Sequence, residues 1–334
     1  MDNILIVRLS SLGDIVHTLP AFAALRRSFP AARIRWAVEQ PGREILDLVP
    51  GIDEIVVVGR KIWQQNIRDL GRRDQTAFDF QGLVKSALLV LMSRSRRTVG
   101  FARENCREPL AAAFYKEKLP PFSEADLHVI SKNLRLLSLV GIREEKYEFP
   151  VVIPEDLRKS VLGKLSRLGY TARQRLLLLN VGAAWETKRW FADRWVELLG
   201  LVKPQGAFPL ILWGSRLEKT LALAVGERTA TAVAPYLSVR EVLALLRMAT
   251  LLVSGDTFVL QAACALNVPV VGLFGPTNPR RNGPFAASDR TVSSEVRCGP
   301  CYKRTCPTLE CLKAISVSAV ATAVKASWSG AAGK

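Results

Sequence analysis

No apolar run in the 334-residue chain reaches the roughly 18 residues that a membrane-spanning helix needs, which excludes such a span. The opening Met1-Asp2-Asn3-Ile4 lacks the basic start of a secretory signal, and the apolar run at 4–7 is too short for its core. The expectation is a cytoplasmic protein that is free to touch a membrane surface. Histidine is nearly missing: His17 and His128 are the only two. A lone histidine is more often a packed or surface residue than a catalytic one. Also missing are a glycine- and aromatic-rich RNA-binding strand, a zinc finger and a DNA-reading helix. Nucleic acid is therefore not an expected partner.

What is present describes a globular protein, with 49% hydrophobic and 23% charged residues. The length suits two domains of ordinary size. The formal charge of +17 and the pI of about 10.0 point to an anionic partner. A phosphorylated ligand in an anionic membrane accounts for that charge at least as well as nucleic acid does.

The stretch from Ile4 to Pro20 reads as a strand, a loop and a helix, the opening unit of a parallel α/β sheet. Ligands of such sheets sit beyond the carboxyl ends of the strands, where this loop lies. Its one acid, Asp14, stands at the mouth of the helix, so it is either a capping residue or a general base. Further strands are expected at 33–39 and 55–58. Arg60 and Lys61 follow the second of these, as a solvated turn or a phosphate contact. A strand ends near Phe80 and a helix begins after Gly82, carrying Lys85. Residues 118–126 read as a mobile loop placed to close over the sheet's ligand edge, and 141–154 as a linker.

The second half repeats the pattern. A buried strand at 176–180 leads into a loop with Lys188 and Trp190, and a helix follows from Ala192. A strand at 208–213 leads to Glu218. Ser238 and Glu241 form a capping box at the start of a helix. A strand at 251–253 turns through Asp256 and Thr257 into a helix, a geometry that points backbone N–H groups at an anion. The last strand is expected at 268–274, followed by the loop 275–279, and a final helix at 316–327. Cys298, Cys301, Cys306 and Cys311 hold four of the six cysteines. They are either a tetrahedral zinc set with non-standard spacing or free, oxidisable thiols. Cys106 and Cys264 read as small apolar residues.

Arg8-Leu-Ser-Ser-Leu-Gly-Asp-Ile-Val-His-Thr-Leu-Pro20 resembles the amino-terminal signature of glycosyltransferase family 9, the lipopolysaccharide heptosyltransferases. Phe78-Asp-Phe-Gln-Gly-Leu-Val-Lys-Ser-Ala87 is similar to the heptosyltransferase I branch. The resemblance implies the GT-B arrangement: two Rossmann-like domains with a cleft between them. Residues 1–150 would bind the acceptor and 151–315 the sugar nucleotide, with a helix and tail at 316–334 packing back on the first domain. It implies Asp14 as the base, with Ser10, Gly13, Arg60, Lys61 and Lys85 on the acceptor side. On the donor side it implies Lys188 facing the diphosphate, Glu218 holding the ribose, the backbone at Leu237 meeting the adenine, and the Asp256-Thr257 turn. The family pattern there is Asp-Thr-Gly-x-x-His. This chain has Phe258 and Gln261 in place of the glycine and the histidine, which adds bulk and removes a titratable group.

The implied reaction moves heptose from ADP-L-glycero-D-manno-heptose to Kdo of the lipid A inner core, with inversion and no required cofactor. It would take place on the cytoplasmic face of the inner membrane. The alternatives are a non-catalytic sugar-nucleotide-binding protein, a family member with another donor sugar, and a sugar-nucleotide epimerase. The oligomeric state is left open.

Overall fold

Strands of near-continuous valine, isoleucine and leucine bury both faces, and only a parallel sheet covered by helices on each side accommodates them. The computed structural model describes residues 1–59, 74–202 and 206–330, and the chain divides into two units, Met1–Val152 and Ile153–Lys334.

The first unit contains β1 (Asn3–Val7), β2 (Arg33–Glu39), β3 (Glu54–Val58), β4 (Thr76–Asp79), β5 (Arg97–Phe101) and β6 (Glu117–Leu119). Its helices are α1 (Leu12–Val16), α2 (Leu19–Ser28), α3 (Gln40–Leu46), α4 (Val84–Met92) and α5 (Val129–Leu136). All the pairings are parallel, in the order β3-β2-β1-β4-β5-β6. Strand order reverses between β1 and β4, so the loops leaving those two strands diverge and open a crevice at the carboxyl edge. The strand expected at 33–39 is β2 without change, while β4 stops at Asp79, one residue before the expected Phe80.

The second unit repeats the design with β7 (Arg175–Asn180), β8 (Ala207–Leu212), β9 (Ala232–Val233), β10 (Leu251–Gly255), β11 (Val270–Phe274) and β12 (Arg290–Ser293). Its helices are α6 (Glu155–Ser166), α7 (Ala192–Leu201), α8 (Arg216–Thr229), α9 (Val239–Met248), α10 (Phe258–Ala265), α11 (Pro279–Asn282), α12 (Glu310–Ala314) and α13 (Val317–Gly330). The order is β12-β11-β10-β7-β8-β9, which puts the reversal between β7 and β10.

Helix α13 lies in the core of the second unit. Val317, Val320, Val324 and Trp328 are buried there with Trp195 and Leu198 of α7. Arg175 of β7 secures this helix, with its guanidinium 4.2 Å from the Trp328 ring centre and Nη2 donating to the Trp328 carbonyl at 2.8 Å. The segment 118–126, expected to be mobile, starts with strand β6 and is then tied down. Asn105 Nδ2 donates to the Phe122 carbonyl at 2.9 Å, and Lys132 pairs with Glu124 at 2.6 Å.

Candidate active site

At the first reversal, Asp14 lies in the first turn of α1. Ser11 donates to its Oδ2 from the backbone N–H at 3.2 Å and from the hydroxyl at 3.0 Å, so Asp14 does cap its own helix. Its other oxygen, Oδ1, meets Arg8 Nη2 at 2.9 Å. Arg8 is buried, and its Nη1 donates to the Phe80 carbonyl at the end of β4. Burial of the Asp14 carboxyl raises its pKa, but Arg8, His17 and the Ser11 hydrogen bonds outweigh that and hold the group at about 2, below its ordinary 3.8. Asp14 is therefore ionised at neutral pH, with a third of its side chain exposed. Ser10 and Gly13 flank it, both half-buried.

The loop after β4 is built around Asp79, which is fully buried. Its Oδ1 accepts from the Gln81 and Gly82 amides at 2.7 and 3.1 Å, and Oδ2 from the Tyr115 hydroxyl at 2.8 Å. Burial still pushes its pKa above the ordinary value. Gln81, so placed, accepts from the Leu9 amide at 2.8 Å. Gly82 has φ +68°, and a Cβ there would press on the backbone of Cys106 and Arg107 at 3.3 Å, so only glycine fits the turn. Lys85 Nζ pairs with Glu39 at 2.7 Å, so its charge is already partnered by the residue that ends β2. Arg60 and Lys61 lie outside the described residues. The two histidines pack edge to face at 5.8 Å.

At the second reversal, the loop after β7 brings Lys188 to Asp256 after β10, with Nζ 2.7 Å from Oδ2. Both side chains are largely buried. Gln261 Nε2 donates to Asp256 Oδ1 at 3.2 Å and to the Asn282 carbonyl at 2.7 Å. Lys188 Nζ also lies 4.3 Å from the Trp185 ring centre. Asn180, the last residue of β7, donates to Ser254 Oγ at 3.0 Å and to Thr257 Oγ1 at 3.1 Å, which sets the turn into α10. Phe258 opens α10, half-buried. Glu218 Oε2 accepts from the Gly214 and Ser215 amides at 2.7 and 3.0 Å, and its side chain lies over Gly182. A Cβ at Gly182 would come within 2.5 Å of Glu218 Cδ, so the glycine makes room for the carboxylate beside the Lys188 loop. Leu237 is buried just ahead of α9.

All six cysteines are free, and among the described residues no group of three or more histidine, cysteine or acidic side chains is placed to hold a metal. The cysteine-bearing loop instead braces its neighbours. Thr187 donates to the Lys303 carbonyl at 2.7 Å, and the Tyr302 amide donates to the Pro276 carbonyl at 2.9 Å.

Arg8, Asp79, Tyr115 and Asn180 were not singled out from sequence. Each acts on a partner far along the chain, so no local pattern announces it.

The family model described as glycosyltransferase family 9 (heptosyltransferase) matches residues 63–312. The chain belongs to glycosyltransferase family 9. Lipopolysaccharide heptosyltransferase 1 of Pseudomonas aeruginosa is 31% identical over 320 residues, covering 91% of this chain and 87% of that protein. The solved family 9 glycosyltransferase from Veillonella parvula superposes with a TM-score of 0.83 at 20% identity, covering 98% of this chain and 97% of that one. The Escherichia coli heptosyltransferase WaaC, solved with ADP, gives a TM-score of 0.76 at 23% identity, covering 99% and 100%. The fold is thus the GT-B fold of this family, and the chain is a glycosyltransferase. In this member one ion pair stands at each reversal of strand order, Arg8–Asp14 in the first unit and Lys188–Asp256 in the second.

Proposed function

We propose that this chain transfers heptose from ADP-L-glycero-D-manno-heptose to Kdo of a phosphorylated lipid A acceptor, by a single displacement with inversion, at the cytoplasmic face of the inner membrane. The observation that carries the reading is the Lys188–Asp256 pair at the start of α10, 2.7 Å apart. A cation and a helix amino terminus placed together suit a diphosphate. In the reaction the acceptor oxygen forms a bond to the anomeric carbon and the bond from that carbon to the diphosphate oxygen breaks. The electron pair leaves with ADP. Lys188 and the backbone N–H groups at the start of α10 stabilise the charge that grows there. The acceptor proton passes to the Asp14 carboxylate. Glu218 holds the ribose hydroxyls, the backbone at Leu237 meets the adenine, and Ser10, Gly13, Arg60, Lys61 and Lys85 serve the acceptor. The reading asks for no cofactor.

Incubation with ADP-heptose and a Kdo-bearing acceptor should release ADP only when both are present. The product's anomeric configuration, read by NMR coupling constants, should be inverted relative to the donor. ADP release from the donor alone, no release with both, or a retained configuration overturns the reading.

One observation favours a second reading, a different donor sugar. Gln261 replaces the family's histidine and is bonded into the Asp256 cluster, while Phe258 replaces its glycine. A thermal-shift screen of sugar nucleotides separates the two: the largest shift goes to ADP-heptose on the first reading and to another nucleotide sugar on the second.

A further inference from the structure

Lys188 and Asp256 neutralise each other, so the pair proposed to meet a diphosphate carries no net charge of its own. Gln261, bonded to Asp256, adds none. The Glu218 carboxylate lies over Gly182 in the same loop, and Glu186 is exposed within it. Arg189, next to Lys188, is engaged by the loop itself, with Nε donating to the Ala183 carbonyl at 2.7 Å. A ligand with at least two negative charges asks this neighbourhood for a further cation.

Arg304 is placed to supply it. Its guanidinium carbon lies 5.4 Å from the Trp185 ring centre, and Lys188 Nζ lies 4.3 Å from the same centre. Both distances end on one ring, so the two cations stand no more than about 10 Å apart. One diphosphate spans such a gap, since each phosphate accepts from a cation at roughly 2.7–2.9 Å and the length of the group covers the rest. An exposed arginine is ordinarily a solvated one. This one is exposed yet lies over an indole, which limits where its guanidinium goes. Among the described residues it has no acidic partner, so its charge and its N–H donors are unspent. A planar guanidinium in that condition suits the paired oxygens of a phosphate.

The segment that carries Arg304 is fixed at the same edge of the sheet. Thr187, buried beside Lys188, donates from its hydroxyl to the Lys303 carbonyl at 2.7 Å. The Tyr302 amide donates to the Pro276 carbonyl at 2.9 Å, and the Asn278 amide donates to the Tyr302 hydroxyl at 3.3 Å. The segment thus joins the loop after β7 to the loop after β11. Those two strands flank β10, whose own loop turns through Asp256 into α10. Gly255 lets the Lys188 loop close on that turn, because a Cβ there would come within 2.8 Å of the Lys188 carbonyl oxygen.

We infer that Arg304 is the second cation of the donor site, binding the diphosphate together with Lys188 and supplying the positive charge that Asp256 offsets at the lysine. The inference rests on the reading of a nucleoside diphosphate donor. It adds to that site a residue of the cysteine-bearing loop.

The probe is ADP, titrated into the full chain by calorimetry. Arg304→Gln should weaken its binding about tenfold, the effect of losing a hydrogen bond between charged groups. Arg304→Lys keeps the charge and should lose less. Both variants should melt at the wild-type temperature in the absence of ligand. Arg173→Gln removes another exposed cation, ahead of β7 at the opposite edge of the sheet, and should leave ADP affinity as it was. With ADP-heptose, Arg304→Gln should raise the Michaelis constant for the donor and lower kcat, while the constant for the acceptor holds. An Arg304→Gln protein that binds ADP as tightly as the wild type overturns the inference. An equal loss in Arg173→Gln also overturns it, because the effect is then one of overall charge. So does a loss in Arg304→Lys as large as in Arg304→Gln with a lowered melting temperature, which makes Arg304 a brace for Trp185. A wild-type chain that binds no ADP defeats the donor reading and the inference together. If the wild type binds ADP, Arg304→Gln binds it weakly and no sugar reaches the acceptor, the proposed transfer fails and the inference stands.

Discussion

The Lys188 ammonium and the Asp256 carboxylate approach to 2.7 Å, although one follows β7 and the other β10 and 68 residues separate them. Asp256 is 6% exposed. A carboxylate so buried depends on its partner. Lys188→Ala should therefore cost about 3–5 kcal/mol of stability, the usual effect of stranding one member of a buried pair. It should also lower kcat by about 10²–10³ if the ammonium steadies the leaving diphosphate. Adding Asp256→Asn to Lys188→Ala should recover part of the stability and none of the turnover. Urea denaturation and steady-state kinetics on the four proteins of that cycle measure both effects. Recovery of turnover in the double variant would make the pair purely structural.

Asp14→Asn tests the base. Turnover should fall by about 10²–10⁴-fold with ADP-heptose affinity unchanged. The Arg8 contact adds a second effect, because the amide leaves a buried guanidinium with a weaker partner. A loss of about 1–3 kcal/mol is expected beside the kinetic one. A folded Asp14→Asn protein with wild-type kcat would leave Asp14 as a cap and a partner for Arg8 alone.

The same contact predicts how stability depends on acid. The Asp14 pKa is lowered from 3.8 to about 2 in the folded protein. Its contribution is therefore fully present above the unfolded value, near 4, and is lost as pH falls towards 2. With a third of the side chain exposed, solvent screening trims the expected loss to about 1–2 kcal/mol. Urea midpoints taken from pH 5 to pH 2 should show this decline in the wild type and a shallower one in Asp14→Asn. Parallel curves would mean that Arg8 does not shift the group.

Gly182→Ala places a methyl within 2.5 Å of Glu218 Cδ. The glutamate must then leave the Gly214 and Ser215 amides, undoing the cap of α8 at a cost of about 1 kcal/mol. The Michaelis constant for the sugar nucleotide should rise while that for the acceptor stays put. An unchanged donor constant would return Glu218 to a capping role only.

The parts of the molecule that sequence made legible are those that local pattern controls. The run at 33–39 alternates too little for a half-exposed strand and is buried along most of its length as β2. Asp14, Lys188, Glu218 and Asp256 could be placed at strand ends because an apolar run followed by small and polar residues announces a strand and its loop. What stayed hidden was pairing across the fold. Arg8 meets Phe80, Gln81 meets Leu9, and Lys85 meets Glu39 across separations of 72, 72 and 46 residues. Lys85 alone reads as a free cation. The helix at 316–327 was legible, while its burial against Trp195 and Leu198 of its own unit was not.

The two loops at the first reversal are joined twice, by Arg8 to the Phe80 carbonyl and by Gln81 to the Leu9 amide. A double clasp of this kind makes Asp14 and its surroundings one mechanical module, so that a change in either loop is felt in the other. If Asp14 is the base, as proposed, a substitution in the loop after β4 should also alter turnover. Diversification among relatives should accordingly concentrate in segments outside the clasp, such as the one that follows β5, where sequence can drift while the surroundings of Asp14 stay fixed.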